Sequence, residues 1–245
     1  MKVDVVVLIG QNKENCDDTV LVNEHIFNNE SATIEEDISC AFVADGVGGN
    51  PGGKDASMFL LKKISKTDFS QCIKEDIRKK LIDINNELIH YAATVPGKEK
   101  MATTLTGFLK GKNGYYMVHI GNTRMYYKQG NYLKQVSVDQ TRYQVLINLR
   151  SYEEAEACNK SIITGCFGGG NNSLISTLVV EKIDQDRLPD LIVLTSDGIH
   201  DFLTIEDLED NLVLSPELEN VETIVALAIE KLSEDDKSIV VIKNK

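Results

Sequence analysis

The sequence has no excess of basic side chains. Its 245 residues include 26 Lys and Arg against 38 Asp and Glu, which gives a formal net charge of −12. A general nucleic-acid surface would be basic, so this composition argues against nucleic acid as a partner. Hydrophobic residues make up 42% of the chain, enough for a sizeable core, and we expect one domain over residues 1–245.

Long apolar runs and paired cysteines are also missing. No apolar run could span a bilayer, and the first ten residues lack the length and cleavage site of a signal peptide. The five Cys include no C-x-x-C pair and the four His no H-x-x-x-H pair, so neither a disulfide framework nor a zinc site is indicated. We expect a cytoplasmic protein with free thiols and no membrane partner, and nothing requires more than a monomer.

Alternating and β-branched runs predict ten strands, several of them joined by hairpin signals such as Gln-Gly-Asn at 129–131. Apolar residues at helical spacing predict two long helices and two weaker ones. Because hairpin-linked strands favour antiparallel sheets, we predict an α+β fold, a four-layer α-β-β-α sandwich of two antiparallel β-sheets flanked by helix pairs. The predicted strands cover residues 3–9, 19–22, 40–44, 103–109, 115–120, 124–128, 132–136, 178–183, 191–195 and 238–242, and the helices 53–65, 73–93, 205–212 and 221–232.

The segment 138–172 has the least regular pattern and ends in Gly-Gly-Gly-Asn-Asn at 168–172. Such a segment is either a flap or a long surface connection. The flap interpretation depends on an active site lying beside it.

Aspartates stand at the ends of three predicted strands. The motifs are Ala-Asp-Gly at 44–46, Ser-Asp-Gly at 196–198 and Asp-Asp at 235–236. Each alone is also typical of a glycine-rich turn, a helix cap or a polar turn, and the spacing of a phosphate-binding loop is absent. If the three strand ends converge, however, the carboxylates would repel one another unless a cation neutralised them. The set therefore predicts a site for divalent cations.

These motifs, in this order, make the sequence similar to the metal-dependent serine/threonine protein phosphatases of type 2C, the PPM family, and particularly to their short bacterial form. The resemblance covers nearly the whole chain. The matching segments, in chain order, are residues 15–17, 45–49, 101–105, 121–124, 196–198 and 235–238. The corresponding family motifs, in the same order, are Asn-Glu/Gln-Asp, Asp-Gly-Met-Gly-Gly, Gly-Thr-Thr-Leu, Gly-Asp-Ser-Arg, Ser-Asp-Gly and Asp-Asn-x-Thr.

The resemblance implies a role for each matching residue. Asp45 would bridge two Mn²⁺ or Mg²⁺ ions, and the Gly46 carbonyl would help to hold the second ion. Asp197 and Asp235 would ligate the first ion, and Asp17 would lie in the outer shell. A water between the ions would attack phosphorus directly, with no covalent phosphoenzyme.

The sequence also departs from the family pattern. Asn12, with Lys13 beside it, stands where the family has an Arg that grips phosphate, so substrate binding is expected to be weaker or different. Asn122 replaces an Asp that the family uses for a third metal ion, which should weaken or abolish that site. Gln140 stands where the family often has His, and His200 is interpreted as a surface turn residue.

The expected function is metal-dependent hydrolysis of phosphoserine and phosphothreonine in proteins. The expected partners are phosphorylated proteins and a cognate kinase. Two alternatives stay open: a degenerate member that binds metal or phosphoprotein but turns over slowly, and a hydrolase of small phosphate esters with the same site chemistry.

Overall fold

Two six-stranded antiparallel sheets form the centre of the protein in the computed structural model, which describes residues 1–48, 51–183, 188–212 and 217–244. Gly49, part of the first aspartate motif, lies outside these residues. The first sheet has the strand order β10-β9-β13-β14-β1-β4 and the second β12-β8-β7-β5-β2-β3. The strands are β1 Lys2–Leu8, β2 Thr19–Val22, β3 His25–Phe27, β4 Ser31–Glu35, β5 Cys40–Ala44, β6 Ala102–Thr103, β7 Leu105–Gly111, β8 Gly114–Ile120, β9 Arg124–Gln129, β10 Tyr132–Gln135, β11 Phe167–Gly168, β12 Val179–Lys182, β13 Leu191–Thr195 and β14 Lys237–Lys243.

Helices cover the outer face of each sheet. Helices α1 and α2 contact each other and lie against the second sheet, whereas α5 and α7 lie against the first. Within the described ranges no helix is long and apolar enough to cross a bilayer. The helices are α1 Gly53–Ser65, α2 Lys74–Ala93, α3 Arg142–Asn148, α4 Tyr152–Ala157, α5 Asp197–His200, α6 Ile205–Leu212 and α7 Leu218–Glu230, with a 3₁₀ turn at Leu174–Thr177.

Three hydrophobic clusters separate the layers. Side chains such as Val5, Val43 and Val240 fill the space between the two sheets. The alternating residue Phe42 instead faces α1 and α2, because successive side chains of a strand point to opposite faces. Full burial of each such aliphatic side chain contributes roughly 1.5–3 kcal/mol. The predicted four-layer sandwich is therefore confirmed.

Three details differ from the sequence prediction. The strands β3 and β4 were missed, because β3 has only three residues and β4 is an edge strand with alternating exposure. The single strand expected at 103–109 is divided at Thr104, whose N–H donates to the carbonyl of Asp45 at 2.9 Å instead of joining the ladder. The segment 138–172 contains α3 and α4, so it is more regular than expected, and its role as a flap stays a prediction.

Candidate metal centre

Strand ends from both sheets bring the aspartates together. Asp45 follows β5 in the second sheet, and Asp197 begins α5 directly after β13 in the first. Asp235 precedes β14, which pairs antiparallel with β13, so its start lies at the same edge as the end of β13. The expected convergence of Asp45, Asp197 and Asp235 is thus a consequence of the topology.

The carboxyl groups in this centre disfavour one another's ionisation. Burial raises the pKa of Asp45 well above its usual range, and Asp197 is the next largest cause. Burial and the charge of Asp235 raise the pKa of Asp197 to about 6. The amide of Asn122 opposes this shift by donating to Asp197, with Nδ2 and Oδ2 2.9 Å apart. Carboxylates this close, and partly shielded from solvent, need a positive partner to ionise together.

Asp18 is a further member that the sequence analysis missed. Its side chain is buried, and its Oδ2 has no hydrogen-bond partner among the described residues. Burial and the charge of Asp236 raise the pKa of Asp18 to about 7. An unpaired buried oxygen is costly unless something binds it, which fits a cation ligand.

The side chain of Asp17 extends from the loop before β2 to the start of α1. Its Oδ1 accepts the backbone N–H of Lys54 at 2.9 Å. Little space is left where this loop meets the motif at 45–46: a Cβ on Gly53 would lie 3.0 Å from Asp17 Cγ and 3.1 Å from the Gly46 carbonyl oxygen. The Gly46 carbonyl and the Asp17 carboxylate are therefore neighbours, as an outer-shell role for Asp17 requires.

Lys13 reaches the aspartates, whereas Asn12 is not brought to them. The Lys13 ammonium contacts Asp235 and lies 3.0 Å from Oδ2 of Asp236. Burial works against the charge of Lys13, but the two carboxylates outweigh it and raise its pKa. Asn12 is exposed and adopts a left-handed backbone with φ 60°.

Asp236 ties the N-terminal loop to the last strand. Its carboxylate accepts the backbone N–H groups of Gly10 and Asp17, both at 2.7 Å, in addition to the Lys13 ammonium. Lys237, which is also buried, donates to the carbonyl of Asp235 at 2.6 Å. These bonds fix the loop that carries Lys13 and Asp17 against Asp235 and Asp236, which precede β14.

The interpretation of His200 as a surface turn residue was wrong. Its ring is buried, and its Nδ1 lies 2.7 Å from the hydroxyl of Thr195, because the first turn of α5 directs it back towards β13. Gln140 holds two loops together, since its amide nitrogen donates to Thr177 O at 2.8 Å and its oxygen accepts the N–H of Gly121 at 3.2 Å.

The residues present fit divalent cations. All the candidate ligands are oxygens, which hard cations such as Mg²⁺ and Mn²⁺ prefer. If ionised, the six carboxylates and two ammonium groups of the centre would carry a formal charge of −4, which two divalent ions would neutralise. In the described part of the chain no three acidic, His or Cys side chains are already arranged to hold one metal ion. The six carboxylates are Asp17, Asp18, Asp45, Asp197, Asp235 and Asp236, and the ammonium groups are Lys13 and Lys237.

A cavity of about 330 Å³ opens directly beside the centre. Asp197 and Asp235 form part of its wall, and Ser161 from the segment 138–172 also lines it. Asp197 and Asp235 are therefore accessible from solvent through this cavity, whose wall includes one residue of the segment 138–172.

Comparison with known proteins agrees with this geometry. The chain is 26% identical over 212 residues to the serine/threonine phosphatase stp of Listeria welshimeri, covering 82% of each protein. It is 26% identical over 205 residues to the serine/threonine protein phosphatase PstP of Mycobacterium tuberculosis, covering 81% of this chain and 39% of PstP.

Solved structures share the fold. The crystal structure of the serine/threonine phosphatase Stp1 from Staphylococcus aureus has a TM-score of 0.79 at 20% identity, covering 99% of this chain and 94% of that one. The catalytic domain of PstP in complex with two manganese ions has a TM-score of 0.74 at 21% identity, with 98% of both chains covered. The sequence pattern of one family, protein phosphatase 2C, matches residues 11–234, which include all the aspartates of the centre except Asp235 and Asp236. Because this match spans most of the sequence, the chain belongs to the protein phosphatase 2C family.

Proposed function

We propose that the chain hydrolyses phosphoserine and phosphothreonine in proteins, using a water activated at a centre of two divalent cations. The observation that carries the proposal is the set of mutually repelling carboxyl groups of Asp45, Asp197 and Asp235, of which Asp197 and Asp235 line the wall of an open cavity. Asp45, Asp197 and Asp235, with the Gly46 carbonyl, would hold the ions. When bound, Mn²⁺ or Mg²⁺ supplies Lewis acidity towards water and the phosphoryl oxygens.

The other residues of the centre orient these ligands and the substrate. Asn122 holds one oxygen of Asp197 through its amide N–H, which leaves the other oxygen of that carboxylate available for a cation. Lys13 is the cation best placed to bind a phosphoryl oxygen, since it lies at the centre and is held by Asp236. Positive charge at this position stabilises the charge that builds up on the transferring group.

The proposed partners are phosphorylated proteins and the kinase that produces them. The Listeria and Mycobacterium relatives bear the names of serine/threonine phosphatases, which supports this substrate class. Two observations favour the alternative of a family member that binds metal or phosphoprotein but turns over slowly. Lys13 offers one point charge rather than the forked guanidinium of an Arg. Asn122 stands where the family resemblance predicts an acid for a third ion.

The test is turnover by the purified chain with excess Mn²⁺. We expect hydrolysis of p-nitrophenyl phosphate and of phosphothreonine peptides, abolished by EDTA and by Asp197→Asn. Asp83→Asn, which changes an exposed Asp on α2, is the matched control and should remain fully active. Mn²⁺ binding without turnover on either substrate would replace the proposal by the slow-member alternative, and turnover of small esters alone would favour a small-molecule hydrolase.

A further inference from the structure

Leu232 has a backbone conformation that suits glycine. It follows the end of α7, where Leu232 N–H donates to Ile229 O at 2.9 Å and Ser233 N–H donates to Ala228 O at 3.0 Å. This pair of bonds is the Schellman motif at a helix C-terminus. The motif requires a left-handed backbone conformation at Leu232, whose φ is 67°. Any residue with a Cβ is disfavoured in this conformation, because the Cβ crowds the backbone.

The side chain of Leu232 is not packed in the protein's hydrophobic core. It is 79% exposed, the largest value among the exposed large hydrophobic residues of the described chain. An apolar side chain that is both exposed and attached to a strained backbone is a feature that stability does not explain.

Leu232 lies beside the metal centre. It lines the same cavity of about 330 Å³ as Asp197 and Asp235, and so does the partly exposed ring of Phe202. We call Phe202 and Leu232 the apolar ledge. The ledge and the carboxylates therefore belong to one continuous surface, which any phosphorylated segment at the centre would contact.

We propose that the apolar ledge binds an apolar side chain adjacent to the phosphorylated residue of the substrate protein. This inference rests on the proposed function. Neighbouring residues of a peptide are about 3.8 Å apart at Cα, so a phosphate at the aspartates places the flanking residue at the cavity wall. The remaining wall includes the acidic side chains Asp201 and Glu234, which disfavour an acidic flanking residue and leave the ledge as the apolar contact.

The test pairs one substitution in the enzyme with one in the substrate. Two phosphothreonine peptides are compared, one with Leu and one with Gly on both sides of the phosphothreonine. The wild type should prefer the Leu peptide about tenfold in kcat/KM, as expected for an apolar side chain in an apolar contact. In Leu232→Gly this ratio should fall to about one. The variant should fold, because glycine suits the backbone at this position.

Tyr132→Ala on β10 is the matched control, since Tyr132 is 70% exposed and its loss should leave the ratio unchanged. Turnover of p-nitrophenyl phosphate with Mn²⁺ separates the two proposals: if the wild type lacks it, the proposed function fails. If the wild type has it and the peptide ratio is the same with and without Leu232, the ledge inference is overturned. Self-association of the wild type that Leu232→Gly abolishes, measured by sedimentation, would also overturn it by assigning the ledge to a second copy of the chain.

Discussion

The ammonium group of Lys13 lies 3.0 Å from Oδ2 of Asp236, and the two residues are 223 positions apart in the chain. Asp236 also accepts two backbone N–H groups of the loop that carries Lys13. The position of this ammonium group is therefore set by Asp236, the residue before β14, which also follows the proposed metal ligand Asp235. The proposed phosphate contact and the proposed metal centre thus depend on the same short segment.

Replacement of Lys13 by Ala should lower kcat/KM for phosphothreonine peptides by about 10- to 100-fold, because a charge-assisted hydrogen bond contributes roughly 1.5–3 kcal/mol. Lys13→Arg should retain activity, since the charge is kept. Steady-state kinetics with saturating Mn²⁺ measures both variants. Asn12→Ala is the neighbouring control, and a loss in this variant with none in Lys13→Ala would return the phosphate contact to Asn12.

Asp197→Asn should abolish Mn²⁺ binding at its site while stabilising the metal-free protein. The pKa of Asp197 is raised by burial and by Asp235, so removal of its charge relieves repulsion. Calorimetric titration should show loss of a Mn²⁺ site, and thermal unfolding in EDTA at about pH 8 should occur a few degrees higher than in the wild type. A variant that binds Mn²⁺ normally would contradict the assignment of Asp197 as a ligand.

Asn122→Asp should restore an acid at the position of the third ion. The change removes the N–H that donates to Asp197 and places a carboxylate in its stead, so unfolding in EDTA should occur at a lower temperature. Millimolar Mn²⁺ should reverse this loss with one additional binding event in calorimetry. If the missing third ion limits the rate, turnover should increase. Unchanged turnover despite the extra ion would rule out that explanation.

The metal-free protein should lose stability as the pH rises from about 4 to 8. The pKa values of Asp18 and Asp197 are raised in the folded state, to about 7 and about 6, relative to the unfolded chain. The folded state then binds more protons than the unfolded state in this window, so the free energy of unfolding falls as these groups ionise. Mn²⁺ should bind more tightly at the higher pH because it requires the ionised carboxylates.

The pH prediction is checked by thermal unfolding in EDTA and in Mn²⁺ across this range. The stabilisation by Mn²⁺ should be largest at about pH 8 and nearly absent at about pH 4. A metal-free protein that becomes more stable between these values would show that the carboxyls ionise without penalty, contrary to their burial together.

The sequence predicted the strands and the aspartates at their ends, because both depend on local patterns. It did not identify Asp18 beside Asp17, or favour Lys13 over Asn12. These four residues lie in the loop between β1 and β2, where no regular period indicates which side chains point inward. The burial of His200 was missed for a related reason, since a four-residue helix has too few positions to reveal which face is inward.

The last strand, β14, lies between β13 and β1 in the first sheet and pairs Lys243 with Lys2. Contacts between such distant parts of a chain form slowly, because the entropy of closing the long intervening segment is lost before the contacts stabilise the fold. A folding chain in which Asp17 and Asp45 are already in place therefore lacks both the proposed ligand Asp235 and the contacts of Asp236 until β14 is inserted. Competence to hold metal should thus appear in one step, when β14 is inserted between β13 and β1, and refolding followed by Mn²⁺ binding would report insertion of this strand.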